Sequence, residues 1–290
     1  MTIGCGIDLR EPVVLELPPG GRIVQTGSIH AEVHGRGRPV VLVPGLGCGA
    51  NVYGSLVLAL LGTGEIEVHA VTLAGFAGIP ASPPPVLPRW CADLARYIAE
   101  HAPQRPILVG HSLGAYVVLA VAIERGDALA GVVALDGVPA IAGLVDPGID
   151  LRAVATDQVR RNSGMDDAAH RAWWASSLRG MITDPDVAAR LTEDAARSDA
   201  TTVTHATAEI LVADLRDEMR RIRAPVLAVG ALGPYKSAML RGRHLAAFGS
   251  MFVDVADRET LVLEQARHFV MLDAPSRVNT TLIDFIRRHP

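Results

Sequence analysis

Apolar residues in this chain fall into short unbroken runs separated by longer stretches of mixed pattern. Pro39 to Pro44 (PVVLVP), Pro106 to Val109, Gly131 to Leu135 and Ala224 to Gly230 lack the alternation of a half-exposed strand. Strands buried on both faces read this way. Ile66 to Thr72 and Glu259 to Glu264 read as further strands, and Val13 to Leu17 with Arg22 to His34 predict an opening hairpin that turns at Pro18–Pro19–Gly20–Gly21. Between these runs lie helical segments: one ending near Leu61, an amphipathic one from Trp90 to His101 after a Pro80 to Pro88 loop, Ala115 to Ile123, and a closing one from Ser276 to Arg288. Strands alternating with helices at such intervals imply right-handed crossovers and a mostly parallel α/β sheet. Ligand chemistry is then expected beyond the C-terminal ends of the strands.

The pattern changes after Pro139. From about Ala140 to Arg223 there are only helix-like segments, carrying Met165, Trp173, Trp174 and Met181. Residues 1–138 and 224–290 are therefore expected to form one core, with 139–223 inserted between two of its strands as a helical cap. Trp173 and Trp174 either fill the core of that cap or wall a substrate pocket.

With 49% apolar and 20% charged residues and a net charge of −4, the chain is expected to be soluble and globular. Its 27 Lys+Arg and 31 Asp+Glu are scattered, without the basic run or aromatic interleaving of a nucleic-acid binder. Met1 to Pro12 carries Asp8, Arg10 and Glu11 where a secretion signal needs an apolar stretch. Glu124, Asp136 and Pro139 interrupt the longest apolar segments before the roughly 20 residues of a membrane span. Three cysteines, Cys5, Cys48 and Cys91, are too widely spaced for a metal site and suit a reducing, cytoplasmic setting. No metal, nucleotide or flavin motif is present, so no cofactor is expected.

One stretch carries chemistry. Gly110–His111–Ser112–Leu113–Gly114 joins a buried strand to an apolar helix, which is the context a Gly-x-Ser-x-Gly turn requires to expose its serine above a sheet. The glycines leave room where strand and helix nearly touch, and the Leu113 N–H, at a helix N-terminus, faces any oxyanion formed beside Ser112. A serine hydroxyl needs a base. Of the ten histidines, His268 is the best placed, in a segment after the last strand and before the closing helix. His111 adjoins Ser112 but points elsewhere, packing or hydrogen-bonding beneath the turn.

Taken together, Pro44–Gly45–Leu46–Gly47, the Ser112 turn and the late His268 followed by Asp273–Ala274–Pro275 resemble the α/β-hydrolase superfamily over nearly the whole chain. The resemblance implies an eight-stranded-type sheet with helices on both faces, a capped active site, and the N–H of Leu46 as second oxyanion donor. Many members have His-Gly where Pro44–Gly45 stands, which removes a histidine but no donor. The acid departs from the family pattern: an Asp often follows the strand that here ends at Gly230, but Ala231–Leu232–Gly233–Pro234–Tyr235–Lys236 contains no carboxylate. Asp136, at the end of the strand after the Ser112 helix, is the replacement, unless it is a solvated or turn-capping residue. Asp254 and Asp257 are further choices, and Asp273 reads as a helix N-cap. Cys48 lines or packs near the site mouth without a histidine partner. Tyr53 and Phe76 either wall the acyl pocket or pack in the core.

The resulting expectation is a serine hydrolase, monomeric or homodimeric, acting on a small-molecule ester, thioester or lactone through an acyl-enzyme on Ser112. Cleavage of C–C or C–CN bonds, or a non-hydrolytic receptor on the same fold, are the alternatives.

Overall fold

The computed structural model describes residues 13–162 and 164–290. Cys5 and the reading of Met1 to Pro12 as free of a secretion signal lie outside them. The elements, in chain order, begin with β1 (Arg22–Thr26), β2 (Ile29–Gly35), β3 (Arg38–Val43), α1 (Gly54–Leu61), β4 (Ile66–Leu73), α2 (Leu87–His101), β5 (Ile107–His111), α3 (Leu113–Arg125) and β6 (Gly131–Leu135). Four helices follow, α4 (Leu151–Asn162), α5 (Asp167–Met181), α6 (Pro185–Ala196) and α7 (Ala200–Val212). The chain then resumes as β7 (Val226–Ala231), α8 (Ala238–Ser250), β8 (Arg258–Leu263), α9 (Val270–Asp273) and α10 (Pro275–Arg288).

The strands form an eight-stranded sheet in the order β1-β2-β4-β3-β5-β6-β7-β8. The β1–β2 and β2–β4 pairs are antiparallel and every later pair is parallel. Every residue of β5, β6 and β7 is buried, as their unbroken apolar runs require. Helices cover both faces: α1 packs on α10, and α2 on α3. The turns that hold the candidate site all leave the carboxyl ends of these parallel strands.

The opening hairpin differs from the sequence expectation. Its turn is at Gly27–Ser28, where Asp93 of α2 accepts hydrogen bonds from the Ser28 N–H (2.8 Å) and hydroxyl (2.7 Å). Val13 to Leu17 is not a strand. Pro18 and Pro19 offer no N–H to a ladder, and Val14 is instead tied to α1 through Ser55 Oγ (2.8 Å) and Ser55 N–H (3.1 Å). Helix α2 begins earlier than expected, at Leu87, because Pro88 suits a first turn and the Glu209 carboxylate accepts from the N–H groups of Val86 (3.0 Å) and Leu87 (2.7 Å).

The helical insertion leaves and re-enters the sheet at one neck: Ala140 bridges Asp214, and Leu215 N–H donates to Pro139 O (3.0 Å). Its helices α5, α6 and α7 are capped by the side chains of Asp166, Asp184 and Asp199, the residue type that best satisfies orphan amides. Asp273 is not a cap. It is the last residue of α9, and the N-cap of α10 is Ala274, without a side-chain bond. The Asp273 carboxylate instead faces inward, accepting from Thr183 N–H (2.9 Å), Thr183 Oγ1 (2.8 Å) and Arg267 N–H (2.7 Å).

Candidate active site

Ser112 sits between β5 and α3 with φ 53° and ψ −118°, a conformation that costs a non-glycine residue energy and persists only where its surroundings impose it. The imposition is visible. A Cβ on Gly110 would lie 2.2 Å from Gly114 O, and one on Gly114 would lie 2.2 Å from Val43 O. Strand and helix therefore meet backbone to backbone, and the Ser112 N–H is held by Leu135 O (3.0 Å). As the first residue of α3, Leu113 has an N–H with no intrahelical acceptor.

The loop after β3 passes beside this serine: a Cβ on Gly45 would come 3.2 Å from Ser112 Cβ. Its turn is closed by Cys48 N–H to Gly45 O (3.2 Å), with Gly47 at φ 68°. Among the described residues, the Leu46 and Leu113 amides have no backbone acceptor. Both N–H groups therefore remain available at the serine turn.

His268 lies in the segment between β8 and α9, and its Nδ1 is 2.7 Å from Asp136 Oδ2. An ionised carboxylate only accepts, so the proton of a neutral His268 ring sits on Nδ1 and the lone pair on Nε2. The other Asp136 oxygen accepts from Ala231 N–H (2.8 Å), while Asp136 N–H donates to Val229 O (2.7 Å). The end of β7, where the family often places its acid, thus supplies a backbone donor to a carboxylate reaching across from β6. Asp136 takes φ 42° to do so, a left-handed conformation that Asp tolerates better than most residues. Asp254 and Asp257 fall between α8 and β8, in the loop the sequence implies.

His111 fastens His268 to the serine turn. Its Nε2–H donates to His268 O (3.0 Å), and its ring packs at a tilt against those of His268 (4.7 Å between centroids) and Phe269 (4.6 Å). Full burial, then the proximity of His268, push its pKa well below 6.5, so it stays neutral.

The other sequence candidates occupy different places. Tyr53 is fully buried and its hydroxyl donates to Val43 O (2.8 Å). Phe76 is also fully buried, packed on Trp90 with ring centroids 5.0 Å apart. Cys48 is buried beside them, its thiol pushed up to about 12 by burial and by Asp194. All three belong to the hydrophobic core. Trp174 approaches the site loop itself, since a Cβ on Gly47 would lie 2.1 Å from Trp174 Cζ2. Its indole N–H donates to His170 Nε2 (3.1 Å), and Trp173 packs edge-on against it at 4.7 Å.

Sequence reasoning misses the residues that join the insertion to this site. Ser198 Oγ donates to Gly47 O (3.1 Å) and accepts from Ala77 N–H (2.9 Å). Asn51 Nδ2 contacts Asp194 Oδ2 at 2.5 Å. The sequence signals Ser198 only as a polar residue at a helix start. Among the described residues, no cluster of three or more His, Cys, Asp or Glu is placed to hold a metal, and no helix is long and apolar enough to cross a membrane.

Residues 40–281 match the sequence profile of the alpha/beta hydrolase family. The chain is similar to the pimeloyl-[acyl-carrier protein] methyl ester esterase of Vibrio cholerae, at 24% identity over 91% of this chain and all of that protein. Among solved structures it is similar to a bromoperoxidase from Bacillus anthracis (18% identity, TM-score 0.77, covering 92% of this chain and all of that one). It is also similar to a thermophilic esterase from Thermogutta terrifontis (18% identity, TM-score 0.75, covering 93% of this chain and all of that one).

Proposed function

The chain belongs to the α/β-hydrolase family, and on that premise we propose that it is a serine hydrolase cleaving carboxylic esters through an acyl-enzyme on Ser112. The observation that carries this reading is the 2.7 Å contact between Asp136 and His268 beside a strained serine turn. His268 Nε2 takes the proton of Ser112 Oγ as the oxygen attacks the carbonyl carbon. The N–H groups of Leu46 and Leu113 stabilise the oxyanion, an effect worth about 10²–10³ in rate per donor in comparable sites. The imidazolium, stabilised by Asp136, then gives its proton to the leaving alkoxide. Water repeats the sequence in reverse roles and frees Ser112.

The lack of a carboxylate after Gly230 is what favours a non-hydrolytic receptor, and the position of Asp136 takes that support away. The name of the Vibrio cholerae relative supports an ester of a small alcohol as the substrate. The insertion acts as a cap: Trp174 lies against Gly47 and Ser198 is bonded to it, so the insertion governs access to the serine. A cytoplasmic setting fits the free thiols of Cys48 and Cys91.

Mixing the protein with p-nitrophenyl acetate tests the reading. A burst of p-nitrophenol followed by steady turnover, absent in Ser112→Ala, is expected. No Ser112-dependent release from esters of any acyl length would overturn it.

A further inference from the structure

His268 does not rest on its ring contact alone. Its backbone is held at three successive groups. The peptide N–H before it, of Arg267, donates to Asp273 Oδ2 (2.7 Å); its own carbonyl accepts from His111 (3.0 Å); the N–H after it, of Phe269, donates to Met181 O (3.3 Å). Two of these three ties lead to the insertion, because Asp273 also accepts from both donors of Thr183, in the link between α5 and α6. The Arg267 guanidinium reaches the last turn of α5 and the start of the same link, donating to Arg179 O (3.0 Å) and Ile182 O (2.8 Å). Asp273 is buried, at 9% exposure, and its carboxylate binds three neutral donors, with no guanidinium or ammonium paired to it among the described residues. Burying a charge at such a place is costly unless its bonds are all made, and here they join two segments that nothing in the local fold requires to meet.

We propose that Asp273 is a positioning residue for His268, clipping the histidine segment to the α5–α6 link so that docking of the insertion and alignment of the base are one event. The proposal rests on the serine-hydrolase reading for its kinetic consequence, but its structural consequence is independent of it. With Asp273 in place, the His268 ring is presented to Asp136 in one orientation and one tautomer. Without it, the backbone at His268 keeps only the His111 and Met181 contacts, the Arg267 guanidinium holding the neighbouring residue by a long side chain, and the ring samples orientations in which Nδ1 leaves Asp136. A displacement of about 1 Å in such a group can cost on the order of 10²-fold in rate.

Asp273→Asn and Thr183→Val test the clip, with Thr183→Ser as the conservative control. Whichever way the Asn amide turns, its NH2 meets a backbone N–H, of Thr183 or of Arg267, so one arm is lost. Thr183→Val removes only the hydroxyl and keeps the shape. For Asp273→Asn the expected result is a fall in kcat of roughly 10- to 100-fold per titrated active site, with KM for p-nitrophenyl acetate within about twofold. A smaller fall is expected for Thr183→Val and near-normal turnover for Thr183→Ser.

The second readout needs no activity. The 15N shifts of the His268 ring, assigned by difference with His268→Ala, should report a single Nδ1–H tautomer in the native protein and a mixture in Asp273→Asn. Unchanged ring shifts in folded Asp273→Asn would overturn the proposal, as would a rate loss that active-site titration accounts for entirely as unfolded protein. If Asp273→Asn does not fold, a ring in Thr183→Val indistinguishable from native does the same. A native protein without esterase activity whose ring shifts nevertheless change in the variant would reject the hydrolase reading and keep the clip.

Discussion

Asp136 and His268, 132 residues apart in sequence, meet at 2.7 Å because the end of β6 and the segment after β8 converge on the turn that carries Ser112. In the proposed reaction the carboxylate would orient the ring and offset the charge it acquires. Asp136→Asn should keep the fold, since Asn tolerates the left-handed φ of 42° that this position demands. It should lower kcat by roughly 10² to 10⁴, because an amide can hold the ring but cannot stabilise an imidazolium. Near-normal turnover in this variant would remove Asp136 from the reaction and leave Ser112 and His268 in place.

Ser112 and His268 are expected to act as a unit, because in the proposed mechanism the serine is activated only through the histidine. Replacing either with Ala should lower kcat by roughly 10⁴ to 10⁶, and the double variant should be no worse than the poorer single one. Multiplicative losses would refute the coupling. Rates with p-nitrophenyl acetate at saturation suffice to decide.

What the sequence discloses follows from how local each cause is. The strands β3, β5, β6 and β7 are legible because burial on both faces writes an unbroken apolar run into the chain itself. The β1–β2 turn is misread because Asp93, 65 residues away, selects it, and the flanking Pro-Gly cluster is the stronger local signal. Helix α8 escapes notice because Met239 and Leu240 face solvent and blur its period. The serine turn is readable as a motif in its context, and His268 by its place after the last strand. Asp136 can only be one choice among several, since nothing near it indicates that it will meet a ring from the other end of the chain. Asp273, standing before Pro275, looks like a cap, and its real partner Thr183 lies 90 residues away.

Stability should fall on the acid side of neutrality. His111 has a folded-state pKa well below 6.5, first from burial and then from His268. His30, His69, His170 and His244 are shifted the same way, mainly by burial. Below about pH 6.5 the unfolded chain takes up protons that the folded chain refuses, so the fully buried His111 reduces stability by up to about 1.4 kcal/mol per pH unit until its folded pKa is reached, and the partly solvated rings act in the same direction but more weakly. Above that pH the contribution is complete and flat. Urea unfolding at about pH 7.5 and about pH 5.5 should show the loss, and His111→Gln should make it smaller. An unchanged pH slope in His111→Gln would mean that this ring does not resist protonation.

The contact between Gly47 and Trp174 separates two demands on the turn beside Ser112. Gly47 must take φ 68°, and a Cβ there would lie 2.1 Å from Trp174 Cζ2. Ala at this position therefore meets a backbone strain of about 1–2 kcal/mol and a collision with the indole. Only the second is relieved by shortening the neighbour. Gly47→Ala should lower kcat/KM by roughly 10- to 100-fold by disturbing the turn that carries the proposed Leu46 oxyanion donor. Trp174→Leu, chosen because truncating a buried Trp to Ala costs about 3–5 kcal/mol, should keep the acetate rate within a few-fold and move the preference toward longer acyl chains, as a cap residue over the site requires. The double variant should then exceed Gly47→Ala alone on acetate without reaching Trp174→Leu, the residual deficit measuring the strain at φ 68°. Strictly multiplicative losses would mean the two side chains do not compete for the same space. An unaltered chain-length profile in Trp174→Leu, with circular dichroism unchanged, would return Trp174 to the core of the insertion.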